Sequence, residues 1–149
     1  MASDPAELAH RYAVALDRKD HDALAALFVP AIQAKVREQL APAIDRLGVT
    51  VLSVTTQVVD LDPADPDRAT GTVYCSAEIE DPDHGWIRQS IVYLDRYERH
   101  AGEWYIKARD HQLVYGQALP DRPLDQPPAN WPEHQVGRGT YPPPPRSGP

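Results

Sequence analysis

The spacing of apolar residues changes twice along this chain. Leu8, Tyr12 and Leu16 recur four residues apart, with Ala9 and Ala13 beside them, and that period lines one face of an α-helix. Asp4-Pro5-Ala6-Glu7 precedes them as a start signal: an aspartate to cap, a proline for the first turn and a glutamate to close a capping box. The polar turn Asp17-Arg18-Lys19-Asp20 ends this helix. Asp20 then caps a second, short helix whose buried face carries Leu24, Leu27 and Phe28, and Pro30 breaks it. A third helical pattern, Ile32, Val36, Leu40, Ile44 and Leu47, runs toward Gly48. Pro42 is expected to kink or split it near Ala41.

From Val49 the period falls to two. Strands are expected over 49–61, 69–80, 86–99 and 103–115, separated by breaker-rich turns at 62–67, 81–85 and 100–102. In the second strand Ala69, Gly71, Val73, Cys75, Ala77 and Ile79 share one face, and the residues between them are polar apart from Tyr74. Connections this short make neighbouring strands antiparallel. Helices followed by a meander predict an α+β fold, with N-terminal helices packed on one face of a strongly curved antiparallel sheet.

After Ala118 the composition changes. Ten of the sixteen prolines lie between Ala118 and Pro149, a density that bars a regular helix or a central strand. The chain therefore divides into a folded domain, 1–117, and an extended proline-rich C-terminal tail, 118–149. Trp131 and Tyr141 are available to dock the tail on the body or on a neighbouring subunit, and a polyproline ligand is a further reading.

Composition narrows the function. The chain has 149 residues, 42% hydrophobic and 25% charged, enough for one domain with a core. A net charge of −7 with no Lys/Arg cluster argues against nucleic acid. No N-terminal leader pattern and no run of about 20 apolar residues is present, so the expectation is no membrane and a cytoplasmic location. The lone Cys75 sits in an apolar strand pattern and reads as a buried thiol. No zinc-ligand spacing and no Gly-rich phosphate loop occur, so neither metal nor cofactor is expected.

Three segments resemble the SnoaL-like family of the nuclear-transport-factor-2-like superfamily. They are Arg11-Tyr12-Ala13-Val14-Ala15-Leu16-Asp17-Arg18-Lys19-Asp20 with the following Asp22 to Phe28; Asp67 to Cys75; and Tyr93-Leu94-Asp95-Arg96-Tyr97-Glu98-Arg99 followed by Gly102-Glu103-Trp104-Tyr105-Ile106-Lys107-Ala108-Arg109. The resemblance implies a cone-shaped roll, usually dimeric. Its relatives include polyketide cyclases, scytalone dehydratases, ketosteroid isomerases and limonene epoxide hydrolases, beside many proteins without known activity. Two family features are missing. The histidine pair that many members carry where the first long strand begins is replaced by Thr50-Val51-Leu52-Ser53-Val54-Thr55-Thr56, and the isomerases' aspartate base finds only Val29-Pro30-Ala31-Ile32. Tyr12 does match the position of the isomerase tyrosine relative to Asp17.

The chemistry-bearing residues cluster at the end of the fold. Tyr93 and Asp95 are two apart on one strand and project from one face. A mid-strand aspartate reads either as a general acid or base or as a salt bridge to Arg109 or Lys107. A three-residue loop at 100–102 would set Tyr93 opposite Arg109, Asp95 opposite Lys107 and Ile91 opposite His111. A one-residue change would turn one strand over. In that register Tyr93, Asp95, Arg109 and His111 form one polar group. Asp95, His111 and Tyr12 are the candidate catalytic residues, because a carboxylate beside a histidine can take and return a proton while a phenol holds an oxygen. Tyr93, Arg109, Trp86 and Phe28 are candidate ligand contacts, although Trp86 also reads as core or dimer face. Beside epoxide opening by a water that an Asp–Arg grouping positions, two functions stay open. One is a cofactor-free dehydratase or isomerase acting on a hydrophobic, oxygenated, polyketide- or steroid-like molecule. The other is a ligand-binding or dimerising protein without turnover. A homodimer through the sheet is expected in either case.

Overall fold

The computed structural model describes residues 2–141. Three helices, α1 (Glu7–Asp17), α2 (His21–Ala25) and α3 (Gln33–Asp45), precede four strands, β1 (Thr50–Asp62), β2 (Asp65–Asp81), β3 (Gly85–His100) and β4 (Glu103–Ala118). The strands form one antiparallel sheet in the order β1-β2-β3-β4. The sheet curves round the helices into the expected α+β cone. The tetraproline at 142–145 lies outside the described residues.

Alternation on β2 does most to build the interior. Ala69, Val73, Cys75, Ala77 and Ile79 are all buried, whereas Thr70, Thr72, Tyr74 and Ser76 are exposed. With Leu8 of α1, Leu24 of α2 and Ile106 of β4, each at most 2% exposed, they form a continuous core. Each such leucine or isoleucine contributes about 1.5–3 kcal/mol of burial free energy. β4 differs: from His111 to Ala118 every residue is exposed, so its second half stands clear of the helices.

Four local expectations are corrected. Asp4 accepts from the Ala6 N–H (2.9 Å), but Glu7 turns to Arg11 and Ser3, so no capping box closes. Leu27 and Phe28 are buried beyond the end of α2, not on its face. The segment pairs with β4, the Ile106 N–H donating to the Leu27 carbonyl (2.7 Å) and the Val29 N–H to the Ile106 carbonyl (3.0 Å). Pro42 does not split α3, which runs on to Asp45. Pro42 and Glu38 are both exposed, so the Glu38 carbonyl, four residues back, is solvated in place of the bond proline removes. Gly48 is not the stop of a helix that ends at Asp45. It gives space to the Glu80 carboxylate, which a Cβ there would overlap.

The β3–β4 turn is also shorter than expected. His100 pairs with Glu103 across two residues, Ala101 and Gly102, whose φ values of 52° and 81° are both left-handed, as a type I′ turn requires. Lys107 then bulges out: Tyr97 pairs with Ile106 and Arg96 with Ala108. The shorter loop and the extra residue each shift the register by one. Together they restore the facing of residues 108–113 but move their partners by two, so Asp95 opposes Arg109 and Tyr93 opposes His111.

Candidate functional site

The inner face of β3 presents Ile91, Tyr93, Asp95 and Tyr97 in succession, all buried. Asp95 lies opposite Gly71 on one side and Arg109 on the other. Its side chain is fully buried and that of Arg109 is 5% exposed. The two form a fork: Arg109 Nε donates to Oδ1 (2.8 Å) and Nη2 to Oδ2 (2.7 Å), while the Tyr97 hydroxyl donates to Oδ2 (2.7 Å). Tyr97 reaches that oxygen because Gly71 has no side chain; a Cβ there would stand 2.5 Å from the tyrosine oxygen.

Two tyrosine rings complete the enclosure of the cation. The Arg109 Cζ lies 4.0 Å from the ring centre of Tyr93 and 4.4 Å from that of Tyr12. The rings meet edge to face at 5.9 Å; Phe28 abuts Tyr12 at 6.5 Å, and His111 abuts Tyr93 at 5.4 Å. Burial pushes the phenols of Tyr12, Tyr93 and Tyr97 above the ordinary tyrosine range, so all three remain protonated donors near neutral pH. Burial also acts against the Arg109 charge, but its hydrogen bonds to Asp95 and that carboxylate's charge outweigh it, and the guanidinium is held above its ordinary value.

Above this polar base a cavity of about 260 Å³ opens between α1 and the inner face of the sheet. Tyr12 and Tyr93 line it together with His111, which lies on the exposed half of β4. Its walls are otherwise mainly apolar, among them Leu16, Leu52 and Ile91. The expected residues thus separate into three groups. Tyr12, Tyr93 and His111 line the cavity. Arg109 lies against the two tyrosine rings, and neither it nor Asp95 lines the cavity; Asp95 hydrogen-bonds to Arg109 and Tyr97 rather than to His111. Phe28 packs behind Tyr12. Trp86 alternates with the cavity residue Ile87, so it belongs to the opposite face of the sheet.

Polar residues outside the expected set also belong to this region: Thr50, Asp81 and Gln89 line the cavity, and Asp17 lies behind its wall. Asp17, in the last turn of α1, accepts from the Thr50 hydroxyl at Oδ1 (2.8 Å) and from the Leu52 N–H at Oδ2 (3.0 Å). Leu16, Thr50 and Leu52 all line the cavity. Half-burial pushes the Asp17 carboxyl above its ordinary value, and these two bonds partly oppose the shift. In the sequence Asp17 stands in a polar run that reads as a turn, and only the return of β1 past the end of α1 brings it inside.

Comparison with known proteins agrees with this architecture. The model of a family described as SnoaL-like domain matches residues 6–110. No curated protein matches in sequence. Among solved structures, a candidate scytalone dehydratase from Novosphingobium aromaticivorans is similar at 17% identity, over 78% of this chain and 86% of that one, with a TM-score of 0.65. The hexachlorocyclohexane dehydrochlorinase LinA type 3 from Novosphingobium barchaimii is similar at 14% identity, over 77% and 87%, with a TM-score of 0.64. The Kfla4162 protein from Kribbella flavida is similar at 19% identity, over 77% and 91%, with a TM-score of 0.66. At these identities the structures share the cone, while the sequence match spans most of the chain, so this protein belongs to the family of SnoaL-like domains.

Proposed function

We propose that the chain binds a hydrophobic, oxygenated small molecule in the cone cavity and acts on it as a cofactor-free lyase or isomerase of the dehydratase type. The observation that carries this reading is the cavity's composition: mainly apolar walls, two protonated tyrosines at the base and His111 against Tyr93. In this arrangement His111 takes a proton from carbon while Tyr12 or Tyr93 donates a hydrogen bond to the oxygen that gains charge; in a dehydration the neighbouring C–O bond then breaks and His111 gives the proton to the departing hydroxyl, which leaves as water, and in an isomerisation it returns the proton to another carbon. Asp95 acts as a positioning residue, fixing Arg109 against both rings. A volume of about 260 Å³ falls just below the roughly 300–1,000 Å³ of ordinary small-molecule sites, which favours a ligand of one or two rings over a four-ring steroid. A dehydratase and a dehydrochlorinase among the similar structures are in keeping with an elimination.

The test is a thermal-shift panel of one- and two-ring ketones, phenols and quinols, followed by mass spectrometry of each binder after incubation. Turnover that His111→Ala abolishes, with binding retained, supports the proposal; turnover unchanged in that variant refutes the role of His111. A second reading, binding without turnover, is favoured by the commitment of both Asp95 oxygens to Arg109 and Tyr97, which removes that carboxylate from proton transfer. It expects every binder to be recovered unchanged.

The protein is also proposed to form a homodimer through the outer face of the sheet. Val58, Tyr74 and Leu94 are 56%, 50% and 45% exposed there, and cross-strand pairing places them close together among threonines. Leu94→Asp should convert a dimer to monomer in light scattering.

A further inference from the structure

The polar side chains around the cavity are of two kinds. Some are committed within the protein. The Thr50 hydroxyl donates to Asp17, and the Asp81 carboxylate accepts the backbone N–H groups of Asp83 (2.8 Å) and His84 (3.0 Å) in the turn between β2 and β3. Others line the cavity with their polar atoms unspent. Among the described residues the side chains of Tyr93, His111 and Gln89 make no hydrogen bond, and all three face the interior.

Gln89 is the outlier of its row. The inner face of β3 carries Ile87, Gln89, Ile91 and Tyr93 in turn, so a primary amide stands between two isoleucines. Its cross-strand neighbours are small, Ala77 on β2 and Gly116 on β4. A Cβ on Gly116 would stand 3.7 Å from Gln89 Cγ and 4.0 Å from its Nε2, so the amide leans along β4 beside a residue with no side chain to cover it. Two other glutamines among the described residues are partly buried, and each spends its amide on a backbone carbonyl: Gln33 on that of Phe28 (3.0 Å) and Gln57 on that of Ala6 (3.0 Å). Gln89 keeps both its donor and its acceptor for what enters the cavity.

From this row we infer that Gln89 is a specificity-determining residue, and that the ligand carries a hydroxyl at Gln89 as well as a carbonyl at the tyrosines. The inference deepens the ligand site proposed above and rests on it. The protonated phenols of Tyr12 and Tyr93 donate, and so call for an acceptor at that end. The Gln89 amide donates and accepts at one place, and a hydroxyl is the group that uses both. Gln89 and Tyr93 are four residues apart, roughly 13 Å along the strand at about 3.3 Å per residue. Ile91 lies between them and lines the same cavity. One molecule meets both ends when its oxygens lie at opposite ends of a two-ring body whose apolar middle packs on Ile91.

The experiment compares two probes that differ only at the far end, 2-acetylnaphthalene and 6-hydroxy-2-acetylnaphthalene, by isothermal titration of the intact protein. The hydroxy compound should bind the parent about tenfold more tightly, the gain expected of a neutral hydrogen bond. Gln89→Met, close in length but without the amide, should bring the two probes to equal affinity while 2-acetylnaphthalene binds as it does to the parent. Gln89→Glu, which keeps an acceptor, should retain part of the preference. A general disturbance of the cavity would weaken both probes alike, so the difference between them isolates the amide. Equal affinity in the parent, or a preference that survives in Gln89→Met, overturns the inference and leaves the ligand site standing. Binding of neither probe counts against the ligand site itself and removes the inference with it.

Discussion

Replacing Asp95 by asparagine keeps the shape of the side chain and removes its charge. The carboxylate accepts three hydrogen bonds, from Arg109 Nε, Arg109 Nη2 and the Tyr97 hydroxyl, at 2.7–2.8 Å. An asparagine offers one oxygen to these donors and turns an NH₂ toward the rest. It also leaves the Arg109 guanidinium, 5% exposed, without a counter-charge. Removing one partner of a buried ion pair costs about 3–5 kcal/mol, most of it the desolvation of the stranded charge. In a domain of this size that is a fall in melting temperature of roughly 10–15 °C. Replacing both partners, as Asp95→Leu with Arg109→Met, removes the stranded charge and should recover most of the loss. Urea unfolding followed by far-UV circular dichroism measures the parent, Asp95→Asn, Asp95→Leu, Arg109→Met and the double variant. The reasoning is refuted if Asp95→Asn unfolds within about 1 kcal/mol of the parent, or if the double variant is no more stable than Asp95→Leu alone. This result governs how activity data are read. Were Asp95 a general base, its asparagine variant would lose turnover with the fold intact; here the fold itself is expected to weaken, so His111→Ala is the better probe of chemistry.

Two further outcomes follow from the packing. Gly71→Ala should push the Tyr97 hydroxyl from Asp95, because the new Cβ would stand 2.5 Å from it; a loss of about 1–3 kcal/mol in urea midpoints is expected, and an unchanged midpoint would show that the ring moves freely. Asp17 carries a raised carboxyl pKa in the folded state, so the native protein binds the proton more tightly than the unfolded chain. The contribution of Asp17 to stability therefore declines as pH rises from the ordinary carboxylate range through the raised value. Asp17→Asn should flatten that slope without a loss near neutral pH, because its amide can serve both the Leu52 N–H and Thr50. Asp17→Ala should lose about 1–3 kcal/mol by leaving those groups unpaired. Urea midpoints between pH 4 and 8 distinguish the cases, and a slope kept in Asp17→Asn would assign it to another group.

Much of the architecture was legible because periodicity is local. The inward residues of β2 follow from alternation alone, and the order of helices and strands predicts helices on one face of a curved antiparallel sheet; the cone was implied by the family resemblance. The errors that touch the core and the site arose where distant segments meet. Leu27 and Phe28 look helical by spacing, yet their burial comes from bridging to β4, nearly 80 residues away. The turn at Ala101-Gly102 was placed correctly, but its length and the Lys107 bulge shifted the partner of Asp95 from Lys107 to Arg109. A bulge is not marked in the alternation of a strand such as β4, whose polar residues fall on both faces. The three side chains that meet in the cavity were within reach because a buried tyrosine on a helix face and an in-strand tyrosine are conspicuous. Asp17 was not, since a carboxylate in a polar turn carries no sign of what will fold over it.

The central claim is that Tyr12, Tyr93 and His111 enclose a site for a small hydrophobic, oxygenated molecule. The most direct test titrates the intact protein with the tightest binder of a one- and two-ring ketone and phenol panel while following the side-chain resonances of His111 and Tyr93 by NMR. Leu52→Trp, which fills the cavity from its wall, serves as the blocked control. The account predicts that both resonances shift with saturation and that binding is lost in Leu52→Trp. A binder that leaves both resonances unmoved, or that binds the blocked protein equally well, would place the site elsewhere and contradict the claim.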